Sequence, residues 1–271
     1  MRVQCHLRGK KSECVVGDRV VWSVSGDEGV VESIEPRSNL LYRQDAWKTK
    51  AFAANLDQLL VVIAAEPVFS ESQLARALIA AGAAAIPARV VLNKHDLPSF
   101  AEAEARLAPY VAMGVEVIGT ALKKAPEASR DRLAPVLRGR VTLVLGPSGA
   151  GKSTLVNLIV ADAQAQVGEI SRAMNSGRHT TTATHWYWTD AGRVTAIIDS
   201  PGFQEFGLRH VAAQDLASLM PDLARHSSEC RFYNCRHVQE PGCGILAALE
   251  RGDINASRYR IYREILEELP A

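Results

Sequence analysis

Gly146-Pro147-Ser148-Gly149-Ala150-Gly151-Lys152-Ser153 follows the apolar run Val141-Thr142-Leu143-Val144-Leu145 and leads into Thr154-Leu155-Val156. This is the G-x-x-x-x-G-K-S pattern, set between a strand and a helix start, which is the context a phosphate-binding loop requires. Its glycines let backbone N–H groups turn inward around phosphate oxygens, and the helix beginning at Thr154 adds a favourable dipole. Lys152 is expected on the β and γ phosphates and Ser153 on the accompanying magnesium ion. The whole run and Thr154 are read as nucleotide-binding. An α/β architecture follows, but the loop alone does not choose between adenine and guanine.

The choice comes from Asn93-Lys94-His95-Asp96, at the end of the strand Val90-Val91-Leu92. A carboxylate at Asp96 can accept both hydrogen bonds offered by guanine N1–H and its amino group, which adenine cannot offer. Asn93 is expected on the other edge of the base and the Lys94 stem over its face. Thr120 and Ala121, just past the strand ending at Ile118, are expected to supply a backbone contact to the guanine oxygen. These residues count against an ATPase or kinase.

A third element, Asp199-Ser200-Pro201-Gly202, ends the strand Thr195 to Ile198. There a carboxylate can hold magnesium through water, and the Gly202 N–H can meet the γ phosphate. Between loop and strand lies Gly177-Arg178-His179-Thr180-Thr181-Thr182, of the length and polarity of a first switch, with Thr181 favoured to complete the magnesium shell. Phe203 stands where the water-orienting glutamine of many GTPases would sit. His179 or a group supplied by a partner must then do that work, and slow intrinsic turnover is expected.

In an ordinary GTPase the phosphate loop comes first and the guanine motif late, whereas here Asn93-Asp96 precedes Gly146 by roughly fifty residues. The order implies a circular permutation, tolerable because domain termini often lie close together at the surface. It also means that the chain leaves the GTPase just after Phe203, so whatever follows is tethered to a segment that moves on hydrolysis.

Upstream of these motifs, Leu59-Leu60-Val61-Val62-Ile63 reads as a strand buried on both faces, followed by an alanine-rich helix from Glu71 to about Gly82. Apolar runs recur at 89–92, 115–118, 141–145 and 194–198, which predicts a mainly parallel sheet with helices on both faces. Residues 1–51 carry short strand-like patterns and turn signals at Gly17, Gly26 and Pro36, and predict an OB-like β-barrel domain. The GTPase domain is assigned to 52–208 and a helical zinc-binding domain to 209–271, closed by a helix from Ala256 to Leu269.

Of the five cysteines, Cys230, Cys235 and Cys243 crowd around His237. Their spacing supplies three sulfurs and one nitrogen, enough to close a tetrahedral structural zinc site with no position left for catalysis. Cys5 and Cys14 are expected to be small buried hydrophobes. The 271 residues contain no run approaching the roughly 18 apolar residues of a membrane helix and no apolar leader, so a cytoplasmic, membrane-free, monomeric protein is expected. A formal net charge of +1 gives no global support to RNA binding. Locally, Arg2, Arg8, Lys10, Lys11, Arg37, Arg43, Lys48 and Lys50 make the first fifty residues basic.

Taken together, Asn93-Asp96 before Gly146-Ser153, Gly177-Thr182, Asp199-Phe203 and the Cys230, Cys235, His237, Pro241-Gly242-Cys243 set resemble the ribosome small-subunit-dependent GTPase A family (RsgA, also called YjeQ). The likeness covers nearly the whole chain. It implies an N-terminal OB-fold, a permuted GTPase and a C-terminal zinc domain, with GTP or GDP, magnesium and zinc bound. It further implies that both flanking domains bind the small ribosomal subunit and its rRNA, and that hydrolysis is linked to late maturation and release. The resemblance also places the switch histidine at His179 and the zinc ligands at the four residues named above. One departure is that Gly17-Asp18-Arg19-Val20-Val21-Trp22 arrives early, leaving open whether the barrel is complete or lacks its first strand. Gly149 occupies the place of the loop asparagine found in many potassium-activated GTPases, and no potassium activation is expected. A reading from another class, a zinc-stabilised RNA-binding or signalling module using GTP as an occupancy switch, rests on Phe203 and the near-neutral charge.

Overall fold

The computed structural model describes residues 3–7, 14–160, 184–202 and 206–270. The first strands are β1 (Cys5–Leu7), β2 (Val20–Ser25), β3 (Glu28–Ile34), β4 (Leu40–Gln44) and β5 (Thr49–Ala54). They form two ladders, β1-β3-β2 and the antiparallel hairpin β4-β5, and among the described residues no strand pairing joins the two into a closed barrel. The reason lies in β2, whose Val21, Trp22 and Val24 face solvent and so provide no interior for a barrel to close around. Cys14 is exposed and Cys5 half-buried, which corrects the expectation that both are buried. β5 runs across residues 51 and 52 to Ala54, with Phe52, Ala53 and Ala54 buried.

The central sheet begins with β6 (Gln58–Ala64), buried along its whole length. Its alternate residues serve two cores: Leu59, Val61 and Ile63 pack with α1 (Glu71–Ala83) and α2 (Phe100–Ala112), while Leu60 and Val62 pack with α3 (Pro126–Leu137) and α4 (Lys152–Ile159). A strand with apolar groups on both faces has no other stable position than the middle of a sheet covered on both sides. The remaining strands are β7 (Ala88–Asn93), β8 (Val117–Gly119), β9 (Val141–Leu145), β10 (His185–Trp188) and β11 (Ala196–Asp199). Their order is β10-β11-β9-β6-β7-β8, parallel throughout except for the β10-β11 pair. Thus β9 and β7 flank β6, and the loops at their C-terminal ends face each other across it, where ligands of open α/β sheets bind.

The last segment contains α5 (Pro221–Ser227), α6 (Gly244–Arg251) and α7 (Ala256–Glu268). Ile261, Tyr262, Ile265 and Leu266 of α7 join the α1/α2 core. Polar ties fix the register: Arg258, buried, donates to Asp222 at 2.9 and 3.2 Å and lies over the Tyr110 ring at 4.7 Å, and Arg76 of α1 donates to Glu268 at 2.7 Å. Among the described residues no helix is long and apolar enough to cross a membrane.

Candidate functional site

The phosphate loop joins β9 to α4, with Gly151 as the residue before the helix at φ 108°. Gly151 is obligatory on two counts: its φ is left-handed, and a Cβ there would run into the Asn93 amide. The Lys152 ammonium donates to the Pro147 carbonyl at 2.8 Å. Burial lowers its pKa, and the nearby Asp199 carboxylate opposes that shift. Asp199 is itself raised, chiefly by burial, against the lowering charges of Lys152 and of His185, its partner across the β10-β11 ladder. Gly202 lies so close that a Cβ on it would sit 3.2 Å from Lys152 Nζ. Lys152, Asp199 and Gly202 therefore meet at one point, as the sequence pattern requires.

A cleft of about 990 Å³ runs from this point to Lys94 and Asp96 at the end of β7. Ser148, Gly149, Gly151, Lys152, Ser153 and Thr154 line it on one side. Gly146 and Ala150 are buried behind it, and Pro147 acts through its carbonyl. Asp96 is exposed on the opposite wall, where its carboxylate can take a ligand. Lys94 has φ 69° and donates to the Glu66 carbonyl, which steadies its stem along the cleft.

Asn93, expected on the base, lines the cleft beside Lys94, and its side chain also ties the surrounding loops together. Its Nδ2 donates to the Ala150 carbonyl at 2.9 Å, and its Oδ1 accepts from the Leu122 N–H at 3.1 Å and the Thr120 hydroxyl at 3.3 Å. It is a buried brace tying the guanine motif to the phosphate loop and to the loop after β8. Thr120 and Ala121, unlike Asn93, are not among the residues lining the cleft: the Thr120 N–H donates to Leu92 in the sheet, and the Ala121 N–H donates to Ser129 Oγ at 3.1 Å. The residues of that loop that do line the cleft are Leu122, Lys123 and Lys124. Asn93→Ala is expected to lower stability by about 1–3 kcal/mol, because it strands the Ala150 carbonyl and the Leu122 N–H. Thermal unfolding checks this, and GTP and GDP affinities should fall together; an unchanged melting temperature would refute the brace.

The switch Gly177-Thr182, with His179 and Thr181, and Phe203 lie outside the described residues. The chain after the second switch is stitched to the N-terminal hairpin. Gln44 N–H donates to Gly207 at 3.0 Å, Arg209 N–H donates to Gln44 at 3.0 Å, and Phe206 stacks on Phe52 with centroids 5.6 Å apart. Arg43, Lys50 and Phe52 of that hairpin also line the cleft. Sequence reading missed this, since nothing local to those residues marks them as neighbours of the phosphate loop.

The second site is compact. The ligand atoms of Cys230, Cys235, His237 and Cys243 all lie within 4.8 Å of one another. Cys230 Sγ and Cys243 Sγ are 3.5 and 3.4 Å from His237 Nδ1 and 3.9 Å from each other. Ordinary zinc–ligand lengths give tetrahedral edges of about 3.8 Å between sulfurs and about 3.6 Å from sulfur to nitrogen, so the set fits a zinc ion. Backbone N–H groups of Gly244 and Leu246 donate to Cys230 and Cys243 at 3.3 and 3.4 Å, the kind of outer contact that holds thiolates in place. Glu240, unremarked in the sequence, organises the loop between Cys235 and Cys243. Burial alone would raise its pKa, but N–H groups of Val238, Arg236 and Gln239, with its own, hold it down at about 2.

An α/β domain in which the guanine motif precedes the phosphate loop, with both at the C-terminal edge of one sheet, defines a circularly permuted GTPase. The model of the RsgA GTPase family matches residues 34–209. Proteins named small ribosomal subunit biogenesis GTPase RsgA from Variovorax paradoxus (strain S110) and Burkholderia pseudomallei (strain 1710b) are 58% and 53% identical, over 99% and 98% of this chain and 86% and 85% of theirs. Among solved structures, YjeQ from Thermotoga maritima aligns with a TM-score of 0.73 at 26% identity, over 99% of this chain and 90% of that one. YloQ, described as a circularly permuted GTPase, aligns with a TM-score of 0.71 at 27% identity, over 98% and 85%. The chain belongs to the RsgA GTPase family, and it is an enzyme that hydrolyses GTP.

Proposed function

We propose that this chain binds the small ribosomal subunit and couples GTP hydrolysis to a late step of that subunit's maturation and to its own release. The observation that carries the coupling is the stitching of residues 206–209 to the β4-β5 hairpin directly after the switch at Asp199–Gly202. The names of its relatives supply the partner. Three modules share the work: the N-terminal strands through Ala54, the GTPase to about residue 208, and the zinc module from 209 onward. The protein acts as a cytoplasmic monomer.

In this reading Asp96 selects guanine, and Lys152 exchanges the Pro147 carbonyl for phosphate oxygens. Ser153 and, through water, Asp199 would hold magnesium, which when bound would neutralise charge on the phosphates. His179, or a group of the bound subunit, orients the attacking water, and Thr181 completes the magnesium shell. Gly202 reports the γ phosphate, and its release passes to 206–209 and from there to both flanking modules. Zinc, held by Cys230, Cys235, His237 and Cys243, supplies the folding energy of the last module rather than chemistry.

GTP turnover measured with and without small subunits, with large subunits as control, tests the proposal. Stimulation of at least about tenfold by small subunits alone is expected, as for GTPases completed in trans. No stimulation, with GTP binding intact, would favour a GTP occupancy switch that works without the ribosome.

A further inference from the structure

The β4-β5 hairpin places two cations directly opposite each other: Arg43 and Lys50 are register partners. Like charges facing across a ladder repel, and an anion between them relieves that repulsion. Both side chains, with Phe52, line the cleft that holds Ser148, Lys152, Asp199 and Gly202. Lys50 Nζ sits 5.9 Å from the centroid of the Phe52 ring, and that ring stacks on Phe206, so the lysine is held beside the exit of the second switch. Among the described residues lining the cleft there are six lysines and arginines against two aspartates, which makes it a site for a polyanion.

The fold decides which end of the nucleotide the pair faces. Asp96 and Lys124, on the loops after β7 and β8, mark the base end. Gly202, beside Lys152 Nζ, marks the terminal phosphate, and the chain that follows it is hydrogen-bonded to Gln44, the neighbour of Arg43 in β4. We infer that Arg43 and Lys50 form a second phosphate-binding element of the cleft, one that contacts the terminal phosphate of GTP and ties the N-terminal module to the nucleotide state. This rests on the nucleotide site described above. It makes the hairpin a sensor that GDP, lacking that phosphate, leaves unengaged.

The test is calorimetry on the full chain with magnesium, using a non-hydrolysable GTP analogue and GDP, for wild type, Lys50→Met, Arg43→Gln, Lys50→Arg and Lys48→Met. Lys48 is exposed at the turn of the same hairpin and does not line the cleft. Lys50→Met and Arg43→Gln are expected to weaken the analogue by about tenfold and GDP by less than about twofold, the worth of one charge-assisted contact. Lys50→Arg should keep the preference, and Lys48→Met should change neither affinity. Equal losses for both nucleotides, no loss for either, or the same loss from Lys48→Met would overturn the inference. So would weakened small-subunit association with unchanged nucleotide affinities, which would give the pair to RNA phosphates. A wild-type chain that binds neither nucleotide would sink the nucleotide site itself, and this inference with it.

Discussion

Lys152→Ala lowers GTP turnover by about 10²–10³, the loss that follows removal of one preorganised charge stabiliser from a phosphoryl-transfer site. The ammonium is held inside the loop, where it is expensive to keep charged, and its pKa falls accordingly. The substitution has a second cost. Asp199, already raised by burial, loses the lysine charge that lowers it, so its carboxylate becomes harder to ionise and a poorer anchor for magnesium. Single-turnover hydrolysis at saturating GTP checks the prediction, with circular dichroism to show that the sheet is intact. Turnover within a few-fold of wild type would mean that the phosphates do not lie on this loop.

Removing zinc, by chelation or by Cys243→Ser, is expected to unfold the C-terminal module while leaving the sheet intact. A structural Cys₃His site contributes an apparent binding free energy on the order of 10 kcal/mol, which is folding energy for the segment it closes. The loop it closes is tied to α7, because Tyr259 and Tyr262 donate to the carbonyls of His237 and Arg236, each at 2.8 Å. Once the loop melts, α7 loses those anchors and is left with its apolar contacts to the α1/α2 core and the Arg258–Asp222 and Arg76–Glu268 pairs. Zinc affinity should fall as pH falls. Without the metal, burial pushes the Cys235 thiol to about 12 and the Cys243 thiol above its ordinary value, so both are protonated at neutral pH and each must release its proton when zinc binds. Limited proteolysis and metal analysis read the outcome. One zinc per chain with protection of residues 221–268 is expected; equal protection after chelation would refute a structural role.

What was legible in the sequence was local and contiguous. The phosphate loop, the Asp96 motif and the cysteine set each fit within a short window, and β6 announces itself because a strand covered on both faces must be apolar throughout. What was not legible depends on contacts between distant residues. Asn93 braces Ala150 across 57 positions, and no local feature distinguishes such a brace from a base contact. Arg43 and Lys50 look like ordinary surface cations until the hairpin is folded beside Gly207. The strand β10 was missed because His185-Trp186-Tyr187-Trp188 lacks an aliphatic run and stands at the antiparallel edge of the sheet. The state of the barrel was not legible for the opposite reason: the β-branched and aromatic residues of β2 have strand character, yet among the described residues Val21, Trp22 and Val24 stay exposed and no strand pairing closes the barrel.

The central claim is that Asn93-Asp96 and Gly146-Ser153, met in the reverse of the usual order, build one guanine-specific site. The most direct test compares calorimetric affinities for GTP, xanthosine triphosphate and ATP in the wild type and in Asp96→Asn. Xanthine offers a carbonyl where guanine offers an amino group, so an amide at this position should accept what the carboxylate refused. Asp96→Asn is predicted to lose GTP affinity by at least about a hundredfold, the worth of two hydrogen bonds to a charged group, to gain xanthosine triphosphate, and to leave ATP as weak as before. An unchanged preference for GTP would contradict the account, because the base would then lie somewhere other than against Asp96.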